Sequence, residues 1–581
     1  MKKKDFMKKL LYFMKDYKKE SVLAPLFKML EAFFELFVPL VVASIIDDGI
    51  VPKDSGHIIR MCLLLLVLAA VGLTCSITAQ YFAAKSAVGA ATGIRYELFT
   101  HIQTLGYEEM DMVGTSTLIT RMTSDINQVQ NGINLVLRLF LRSPFIVFGA
   151  MIMAFTIDVK AAMIFVVAII LLSIVVFGVM FITKPLYKKV QSGLYTILGT
   201  TRENLTGVRV IRAFHQEQAE YNKFLAENEE LTSLQKFAGK ISGLTNPLTF
   251  IIINFAILVL IHTGAVRVSL GTLSQGQVVA LYNYMSQILV ELIKLANLII
   301  SVTKAMACFN RIQDVFHIES SMKEGTKTVA AAGNTTPAVE FKNVSFTYAG
   351  GGDHAVENIS FKAMPGQTIG IIGGTGSGKS TLVNLIPRFY DVSEGEVDIA
   401  GKNIQDYTYG SLRNTISVVP QKAQLFAGTI RDNLTFGCPD ATEEQIEEAL
   451  DISQAKEFVD TKEGRLDAKI EQGGKNLSGG QRQRLTLARA LVPQSDILIM
   501  DDSASALDYA TDARLRKAIQ DMKRKPTVFI VSQRTSSIQN ADMILVLDDG
   551  KIAGQGTHEQ LLKSCNIYRE IYETQFKKEE A

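Results

Sequence analysis

Six long apolar stretches in the first half of the chain constrain its fold more than any other feature. They lie near residues 22–46, 58–84, 134–157, 160–183, 244–268 and 276–305. Each stretch is long enough to cross about 30 Å of hydrocarbon as a tilted helix. In lipid, a single segment satisfies all its backbone hydrogen bonds only as a helix, so the stretches predict a membrane domain of six helices.

Two long polar linkers, at about 85–133 and 184–243, join some of these stretches, whereas the other linkers are short. Apolar residues recur at i, i+3 and i+4 in both long linkers, which predicts that the membrane helices continue into water. Compact amphipathic patches at Tyr107–Asp111 and Ile211–Gln216 are suited to docking on another domain.

The N-terminal segment 1–19 is strongly basic, with eight lysines between residues 2 and 19. Its apolar residues recur at helical spacing, which predicts an amphipathic helix on the cytoplasmic face of a membrane; a solvated basic tail is the alternative. The positive-inside rule places this segment in the cytoplasm. Six crossings then return the C-terminus to the cytoplasm, so we expect a multi-pass protein of the cell membrane that contacts membrane lipids.

Charged residues interrupt three of the predicted membrane helices. The sets that share a helix face are Lys28, Glu31 and Glu35, then Arg138 and Arg142, then Glu291 and Lys294. Charges inside a bilayer are costly and mark functional sites by default. They either line a cavity, or they pair with one another or snorkel towards the head groups, and the sequence leaves both interpretations open.

Net charge and cysteine usage exclude several classes of protein. The net charge of +2 provides no basic surface for nucleic acid, so we expect no nucleic-acid partner. The five cysteines are scattered and form no C-x-x-C pair, which argues against a disulfide framework and against a zinc site.

The second half of the chain has a different pattern. Residues 318–337 are polar and rich in Ala, Gly and Thr, which predicts a linker. From Val339, short strands are followed by alternating strands and helices, which predicts a mixed α/β domain over 338–576. The segment 20–317 between the amphipathic helix and the linker is then the membrane domain.

The α/β domain contains a glycine-rich turn between a buried strand and a helix. Its residues are Gly373, Gly374, Thr375, Gly376, Ser377, Gly378, Lys379, Ser380 and Thr381. This G-x-x-x-x-G-K-S pattern predicts a loop whose backbone N–H groups surround the phosphates of a nucleoside triphosphate. Lys379 would reach the β- and γ-phosphates, and Ser380 would ligate Mg²⁺. A glycine-rich turn without a ligand is the disfavoured alternative.

A second buried strand, Ile497–Met500, ends in two acids, Asp501 and Asp502. An acid at the carboxyl end of a strand beside a phosphate loop is placed to hold Mg²⁺. We therefore expect Asp501 to be a metal ligand and Asp502 to polarise the attacking water.

A second glycine-rich helix start follows Leu477 and lacks a lysine. It consists of Ser478, Gly479, Gly480 and Gln481. Such a helix start binds anions through backbone N–H groups. Two phosphate-binding helix starts with a single lysine predict a dimer, in which this loop closes over a nucleotide held by the partner.

These segments resemble motifs of ATP-binding cassette (ABC) transporters. Gly373–Thr381, Leu477–Gln481 and Ile497–Asp508 resemble the Walker A, signature and Walker B/D-loop motifs of that family. With six predicted spans ahead of them, the whole chain resembles a half-transporter of the ABC exporter class (type IV fold). The resemblance implies an ATP- and Mg²⁺-dependent translocase: a six-helix transmembrane domain fused to an α/β P-loop nucleotide-binding domain.

The resemblance also implies roles for single residues. Tyr348 resembles the aromatic residue that stacks on adenine, and Gln421 resembles the glutamine that contacts Mg²⁺ and water. Asp508 resembles the aspartate that communicates across the dimer, and the patches Tyr107–Asp111 and Ile211–Gln216 correspond to the two coupling helices.

Two positions depart from the family pattern, which usually has Glu in place of Asp502 and His in place of Gln533. Asp is one methylene shorter than Glu, and Gln lacks a charged imidazole. The chain therefore resembles the degenerate-site subunit of bacterial heterodimeric multidrug exporters. That resemblance implies a second half-transporter with the Glu and the His, and a small amphipathic cargo such as a drug or lipid.

Three alternatives to this interpretation stay open. In the first alternative, both substitutions are tolerated variants in an active ATPase. In the second, the chain is a homodimeric lipid or drug exporter with a slow ATPase. The third alternative is an ATP-sensing regulatory or channel subunit.

Overall fold

The structure is a computed structural model that describes residues 10–330, 333, 335–503 and 507–576. The described residues form two compact units. The first reaches to Gln103 and resumes over Ser116–Ile318, and the second combines Thr104–Thr115 with the chain from Glu319 onward. Three predicted features are partly outside the described residues: the amphipathic helix (1–9), the linker (331, 332 and 334) and the D-loop (504–506).

The first unit is helical, and the prediction of six membrane helices is confirmed. Six helical segments among the described residues are long and apolar enough to cross a membrane: Lys15–Ile50, Ser55–Thr104, Thr115–Ile157, Val159–Thr206, Glu217–Ser269 and Gln275–Phe316. Between Lys18 and Phe316 the α-helices are α1 (Lys18–Ser44), α2 (Ser55–Thr104), α3 (Tyr107–Val113), α4 (Thr115–Thr120), α5 (Ile126–Leu139), α6 (Arg142–Ile157), α7 (Val159–Thr206), α8 (Val208–Ala213), α9 (Glu217–Gly243), α10 (Thr245–Ser269) and α11 (Gln275–Phe316).

The long polar linkers are helical, as predicted. Helix α2 has 50 residues, so its length is roughly 75 Å, more than twice the thickness of the hydrocarbon core. It contains no proline, and its hydrogen-bond ladder therefore runs without interruption from the apolar stretch into the polar one. The patch Tyr107–Asp111 lies within the short helix α3, whereas the patch Ile211–Gln216 begins in α8 and continues three residues beyond the end of that helix at Ala213.

Small residues bring the membrane helices close together. Ala79, Ala83, Ala87 and Ala91 recur every fourth residue of α2 and are fully buried. A Cβ atom on Gly132 would lie 2.3 Å from the Cβ atom of Ala305, so α5 and α11 pack closely at that point. Small side chains allow such close approach of backbones in a membrane bundle.

The second unit is an α/β domain. Its strands are β1 (Val339–Phe346), β2 (Val356–Ala363), β3 (Thr368–Gly373), β4 (Glu394–Ile399), β5 (Lys402–Asn403), β6 (Ile416–Val419), β7 (Gly428–Thr429), β8 (Lys469–Ile470), β9 (Ile497–Asp501), β10 (Thr527–Val531), β11 (Met543–Asp548) and β12 (Lys551–Gly556). Its α-helices after residue 319 are α12 (Lys379–Leu385), α13 (Tyr409–Asn414), α14 (Ile430–Leu434), α15 (Glu443–Ile452), α16 (Lys456–Asp460), α17 (Gly479–Leu491), α18 (Tyr509–Gln520), α19 (His558–Ser564) and α20 (Asn566–Phe576).

The central sheet of this unit has the strand order β12-β11-β3-β10-β9-β6. Only the β11–β12 pair is antiparallel. Val531 of β10 pairs with Ile371 of β3 on one side and with Asp501 of β9 on the other. The carboxyl ends of β3, β10, β9 and β6 therefore meet at one edge of the sheet, where α/β domains bind ligands.

Helix α3 belongs to this second unit, although chain continuity assigns it to the predicted segment 20–317. The ring of Tyr107 stacks on Phe389 with 4.5 Å between the centroids. The Tyr390 hydroxyl donates a hydrogen bond of 2.7 Å to the Asp111 carboxylate. An aromatic stack and a charge-assisted hydrogen bond thus hold α3 on the α/β domain.

Glu109 fixes the beginning of α3. Its buried carboxylate accepts hydrogen bonds from the backbone N–H groups of Gly106, at 2.9 Å, and Ser321, at 2.8 Å. Burial raises the pKa of Glu109, but the N–H donors outweigh it and hold the pKa below its ordinary value. The ionised carboxylate therefore joins this segment to the start of the predicted linker.

Candidate functional site

The predicted phosphate loop leaves β3 at Gly373 and enters α12 at Lys379. Gly376 and Gly378 adopt φ values of 85° and 90°, which side-chain-bearing residues rarely do. A Cβ atom on Gly378 would lie 2.5 Å from the backbone oxygen of Ala355. Glycine at this position therefore has two physical causes, the left-handed backbone and the neighbouring carbonyl group.

Lys379 lies across the loop. Its Nζ atom donates to the carbonyl oxygens of Gly373, at 3.0 Å, and Gly374, at 2.6 Å. Burial lowers the pKa of Lys379, while the nearby carboxylates of Asp502 and Asp501 oppose that shift. A partly desolvated ammonium group attracts phosphate more strongly than one in water.

Two of the three predicted magnesium ligands are in direct contact: Ser380 in the first turn of α12 and Asp501 at the end of β9. The Ser380 hydroxyl donates a hydrogen bond of 3.0 Å to Oδ1 of Asp501. Burial raises the pKa of Asp501, and the charge of Asp502 adds to that effect. A cation bound beside Asp501 would favour the ionised form of this buried carboxylate.

Most residues of the predicted nucleotide site line one cavity of about 360 Å³. Its lining includes the predicted residues Tyr348, Thr375, Gly376, Gly378, Lys379, Ser380, Thr381, Gln421, Asp501, Asp502 and Gln533. Gly373, Gly374 and Ser377 belong to the same loop but do not line the cavity. Tyr348 is joined to the loop by a 3.1 Å hydrogen bond between its hydroxyl and that of Thr381.

Three further residues line this cavity without having been predicted: Ala355, Val531 and Ser532. Val531 and Ser532 immediately precede Gln533 at the end of β10, so their position was available from the strand assignment. Ala355 belongs to none of the sequence motifs, and its place in the site is seen only in the structure, where its backbone oxygen lies close to Gly378.

The two non-consensus residues occupy neighbouring strand ends. Asp502 has a left-handed backbone, with φ 45°, which Asp tolerates better than most residues. Its N–H group donates a 3.0 Å hydrogen bond to the carbonyl of Val531. Gln533 lies two residues beyond Val531 and is exposed to the cavity.

The signature segment does not line this cavity within the described part of the chain. Ser478 instead caps helix α17: its hydroxyl accepts the N–H group of Gln481 at 3.3 Å, and the Gln481 side chain accepts the N–H group of Ser478 at 3.0 Å. Gly479 and Gly480 form the first turn of that helix. This capping box fixes the segment in the conformation that the sequence predicts.

Asp508 likewise caps a helix and does not line the cavity. Its carboxylate accepts hydrogen bonds from the N–H and hydroxyl groups of Thr511, both at 2.8 Å, which lower the pKa of Asp508. The structure thus groups Walker A, Walker B, Tyr348, Gln421 and Gln533 around one cavity, and the signature and Asp508 lie elsewhere.

The residues of the cavity fit a nucleotide with Mg²⁺. The loop offers N–H groups and an ammonium group for phosphate, while Ser380, Gln421 and Asp501 offer oxygen atoms. Among the described residues no group of three or more His, Cys, Asp or Glu side chains is arranged to hold a metal. Mg²⁺ does not require one, because it binds through one or two carboxylates together with phosphate oxygens and water.

Comparison with known proteins assigns both units to one family. Residues 21–292 match the ABC transporter transmembrane region, and residues 356–505 match the ABC transporter family. YfiB of Bacillus subtilis (strain 168), an uncharacterized ABC transporter ATP-binding protein, is 34% identical over 574 residues, 99% of each chain. The chain belongs to the ABC transporter family. Its membrane region and ATPase domain in one polypeptide make it an exporter half-transporter, an ATP-driven, multi-pass membrane protein.

Other relatives and one solved structure agree with this assignment. An uncharacterized ABC transporter ATP-binding protein of Mycobacterium tuberculosis (strain ATCC 25618 / H37Rv) is 34% identical over 96% of each chain. The ATP-dependent lipid A-core flippase of Escherichia coli (strain K12) is 28% identical over 96% of each chain. The structure of a bacterial Atm1-family ABC exporter with ATP bound has the same fold, with a TM-score of 0.77, 22% identity and coverage of 96% and 98%.

Six of the seven charged residues singled out in the membrane helices form one ion-pair network, so mutual pairing is confirmed for those six. Arg142 is buried and donates to Glu291 at 2.6 Å and to Glu35 at 2.7 Å. Lys28 pairs with Glu31 at 2.6 Å, and Lys294 pairs with Glu291 at 2.8 Å. Arg138 takes no part in these ion pairs and donates a long hydrogen bond, 3.5 Å, to Gln80.

Three of the same residues also line a cavity. Glu31, Glu35 and Arg142 border a space of about 530 Å³ beside apolar side chains of α1 and α2. The two interpretations of the charges are therefore compatible: the network neutralises charge within the bundle and presents part of it to an open space.

Proposed function

We propose that this chain is one subunit of a heterodimeric ATP-driven exporter and that its own ATP site is degenerate. It binds ATP and Mg²⁺ in the 360 Å³ cavity and hydrolyses the nucleotide slowly. Its signature, Ser478–Gln481, completes the productive site on a second half-transporter that carries the consensus Glu and His. The observation that carries the proposal is that both non-consensus residues, Asp502 and Gln533, line the same cavity as Lys379.

The chemistry of the two substitutions supports a slow site. The Asp502 carboxylate is about 1 Å short of the position that Glu would reach, and such a displacement costs on the order of 100-fold in rate. The hydrogen bond from its N–H group to Val531 restrains the backbone from making up that distance. Gln533 can donate a hydrogen bond to the γ-phosphate but carries no positive charge.

The proposed cargo is a small amphipathic molecule, a drug or a lipid, taken from the cytoplasm or the inner leaflet. The 530 Å³ cavity supports this because it combines Glu31, Glu35 and Arg142 with Phe34 and Leu65. The name of the Escherichia coli relative, a lipid A-core flippase, supports lipid as one such class.

The proposal includes an orientation and a domain division. Both termini lie in the cytoplasm, where ATP is available. The domain boundaries are the amphipathic helix 1–19, the membrane domain 20–317, the linker 318–337 and the nucleotide-binding domain 338–576.

The test compares two single substitutions in the assembled heterodimer. Ser478→Arg should abolish nearly all ATPase activity, because the signature caps the γ-phosphate in the productive site. Asp502→Ala should cost much less, because this chain's own site contributes little turnover. Asp502→Glu would restore some hydrolysis, with Gln533 still limiting it.

A matched control separates loss of the signature from loss of a helix cap. Thr442 caps α15 through the same reciprocal pair of hydrogen bonds, here with Gln445, at 2.9 Å and 3.3 Å. Thr442→Arg removes a comparable cap, a loss of about 1 kcal/mol, and should leave ATPase activity largely intact.

Three results would replace the proposal. If Asp502→Ala stops turnover as completely as Ser478→Arg, this chain hydrolyses its own ATP. If the chain purified alone forms a stable, transporting dimer, it is a homodimeric exporter. Nucleotide-dependent conductance without uphill transport would indicate a channel or regulatory subunit.

A further inference from the structure

The last described helix, α20, contacts the segment that follows β10. The side-chain amide of Gln575 donates a hydrogen bond of 2.7 Å to the carbonyl oxygen of Gln533. The amide oxygen of the same side chain accepts the N–H group of Thr535 at 2.9 Å and its hydroxyl at 2.8 Å. One side chain therefore holds the backbone on both sides of Arg534.

Helix α20 is itself firmly attached to the domain. Tyr568 is fully buried, and its hydroxyl lies 2.7 Å from Nδ1 of His558 on α19. Arg569 donates to the carbonyl of Leu562 at 2.8 Å. Because Tyr568 and Gln575 are seven residues apart, they lie on the same face of the helix, so the buried anchor also orients the amide.

The segment held by Gln575 is the one that brings Gln533 into the nucleotide cavity. Ser532 donates its N–H group to Ile371 of β3 at 3.1 Å, which fixes the segment on the sheet side. Thr535 is fully buried on the other side. The Gln533 side chain lies between these two fixed points and lines the cavity.

We propose that Gln575 is a positioning residue for the nucleotide site, which holds Gln533 so that its amide can bind the γ-phosphate of ATP. This inference rests on the proposed function, in which the cavity binds ATP. A side chain that is held before the ligand arrives loses less entropy on binding, so removing the support weakens the contact that it makes. ADP lacks the γ-phosphate, and the support should therefore favour ATP over ADP.

The experiment measures the Kd of ATP and of ADP for the full-length chain. Gln575→Leu removes all three hydrogen bonds at similar size, and we expect it to weaken ATP binding about tenfold, the low end for a hydrogen bond to a charged group. ADP binding should change less than about twofold. Gln575→Glu keeps an oxygen acceptor for Thr535 but places a carboxylate oxygen against the carbonyl oxygen of Gln533, so it should weaken ATP binding at least as much as Gln575→Leu.

Two further variants distinguish positioning from general support of the fold. Gln533→Ala should weaken ATP binding about as much as Gln575→Leu, and the double variant should be no weaker, because both changes remove the same contact. Thr574→Val is the matched control: the Thr574 hydroxyl donates only within α20, to the carbonyl of Glu570 at 2.7 Å. It should leave both Kd values unchanged.

Equal losses for ATP and ADP would overturn the inference, and so would additive losses in the double variant. If Gln575→Leu does not fold, the ratio of the two Kd values in Gln575→Glu decides. Failure of the proposed function would give a different result. If this cavity does not bind ATP, Lys379→Ala would bind ATP as tightly as the unchanged chain.

Discussion

The phosphate loop allows a graded prediction, because three of its glycines differ in what a methyl group would encounter. At Gly374 the backbone is not left-handed and nothing lies within 4 Å of the added Cβ atom. At Gly376 the space is also open, but φ is 85°. At Gly378 φ is 90° and the Cβ atom would lie 2.5 Å from the carbonyl oxygen of Ala355. Alanine therefore introduces no strain at Gly374, backbone strain alone at Gly376, and both backbone strain and steric overlap at Gly378.

The size of each step follows from these contacts. A left-handed backbone costs alanine about 1–2 kcal/mol. Overlap with a backbone oxygen adds about 1–3 kcal/mol, as in an overpacked core. If the loop leaves its native conformation to avoid these costs, the apparent affinity for ATP falls by the corresponding factor. Gly376→Ala should then bind ATP roughly 5- to 30-fold more weakly, and Gly378→Ala at least roughly 30-fold.

The assay is equilibrium ATP binding to the purified full-length chain, with Gly374→Ala as the control expected to remain within about twofold. The rank order of the three ATP affinities tests the reasoning more directly than their absolute values. If Gly376→Ala binds as well as the control, the left-handed turn is not part of the binding conformation. If Gly374→Ala is the weakest of the three, the nucleotide lies against a different part of the loop.

Three other predictions concern charged side chains of the ATPase unit. Lys379→Ala should weaken ATP binding at this site, and unchanged affinity with the partner's site disabled would contradict its assignment. Asp501→Asn should raise the midpoint of thermal unfolding, measured without nucleotide at pH 7. Burial raises the pKa of Asp501 above 3.8, so the ionised carboxylate destabilises the folded protein at pH values above its raised pKa. The difference between the variant and the unchanged chain should disappear as the pH falls below 3.8. A lower midpoint would contradict this. Glu109→Gln should lower the midpoint at pH 7 by an amount equivalent to about 1–3 kcal/mol. Because its N–H donors hold the pKa of Glu109 below 4.5, that stabilisation is lost as the pH falls through the lowered pKa, and a difference that persists below it would contradict the reasoning.

The parts of the fold and site that could be predicted are those with local signals. The membrane helices follow from runs of apolar residues, and the phosphate loop follows from glycine and lysine spacing between a strand and a helix. Asp501 could be placed because it ends a buried strand, and the carboxyl ends of parallel strands meet at one edge. In each case the residues that decide the structure are neighbours in the chain.

The contacts that could not be predicted join residues far apart in sequence. Arg142 and Glu291 are 149 positions apart, and Gln533 and Gln575 are 42 apart. Nothing in the periodicity of either segment specifies the partner, since the pairing depends on how the elements pack. The sequence therefore indicated that Arg142 was in the membrane domain but not whether it was paired, exposed to a cavity, or both.

The docking of α3 on the ATPase domain also has a consequence for the order in which the protein is made. Tyr107 leaves the ribosome before Phe389 and Tyr390, its neighbours in the folded protein, have been synthesised. Four more membrane helices come between them. At roughly 5–20 residues per second, the Tyr107 ring of α3 stays without these partners for on the order of tens of seconds. Translation pauses in that interval prolong this exposure, and chaperones that bind short aromatic segments shorten it.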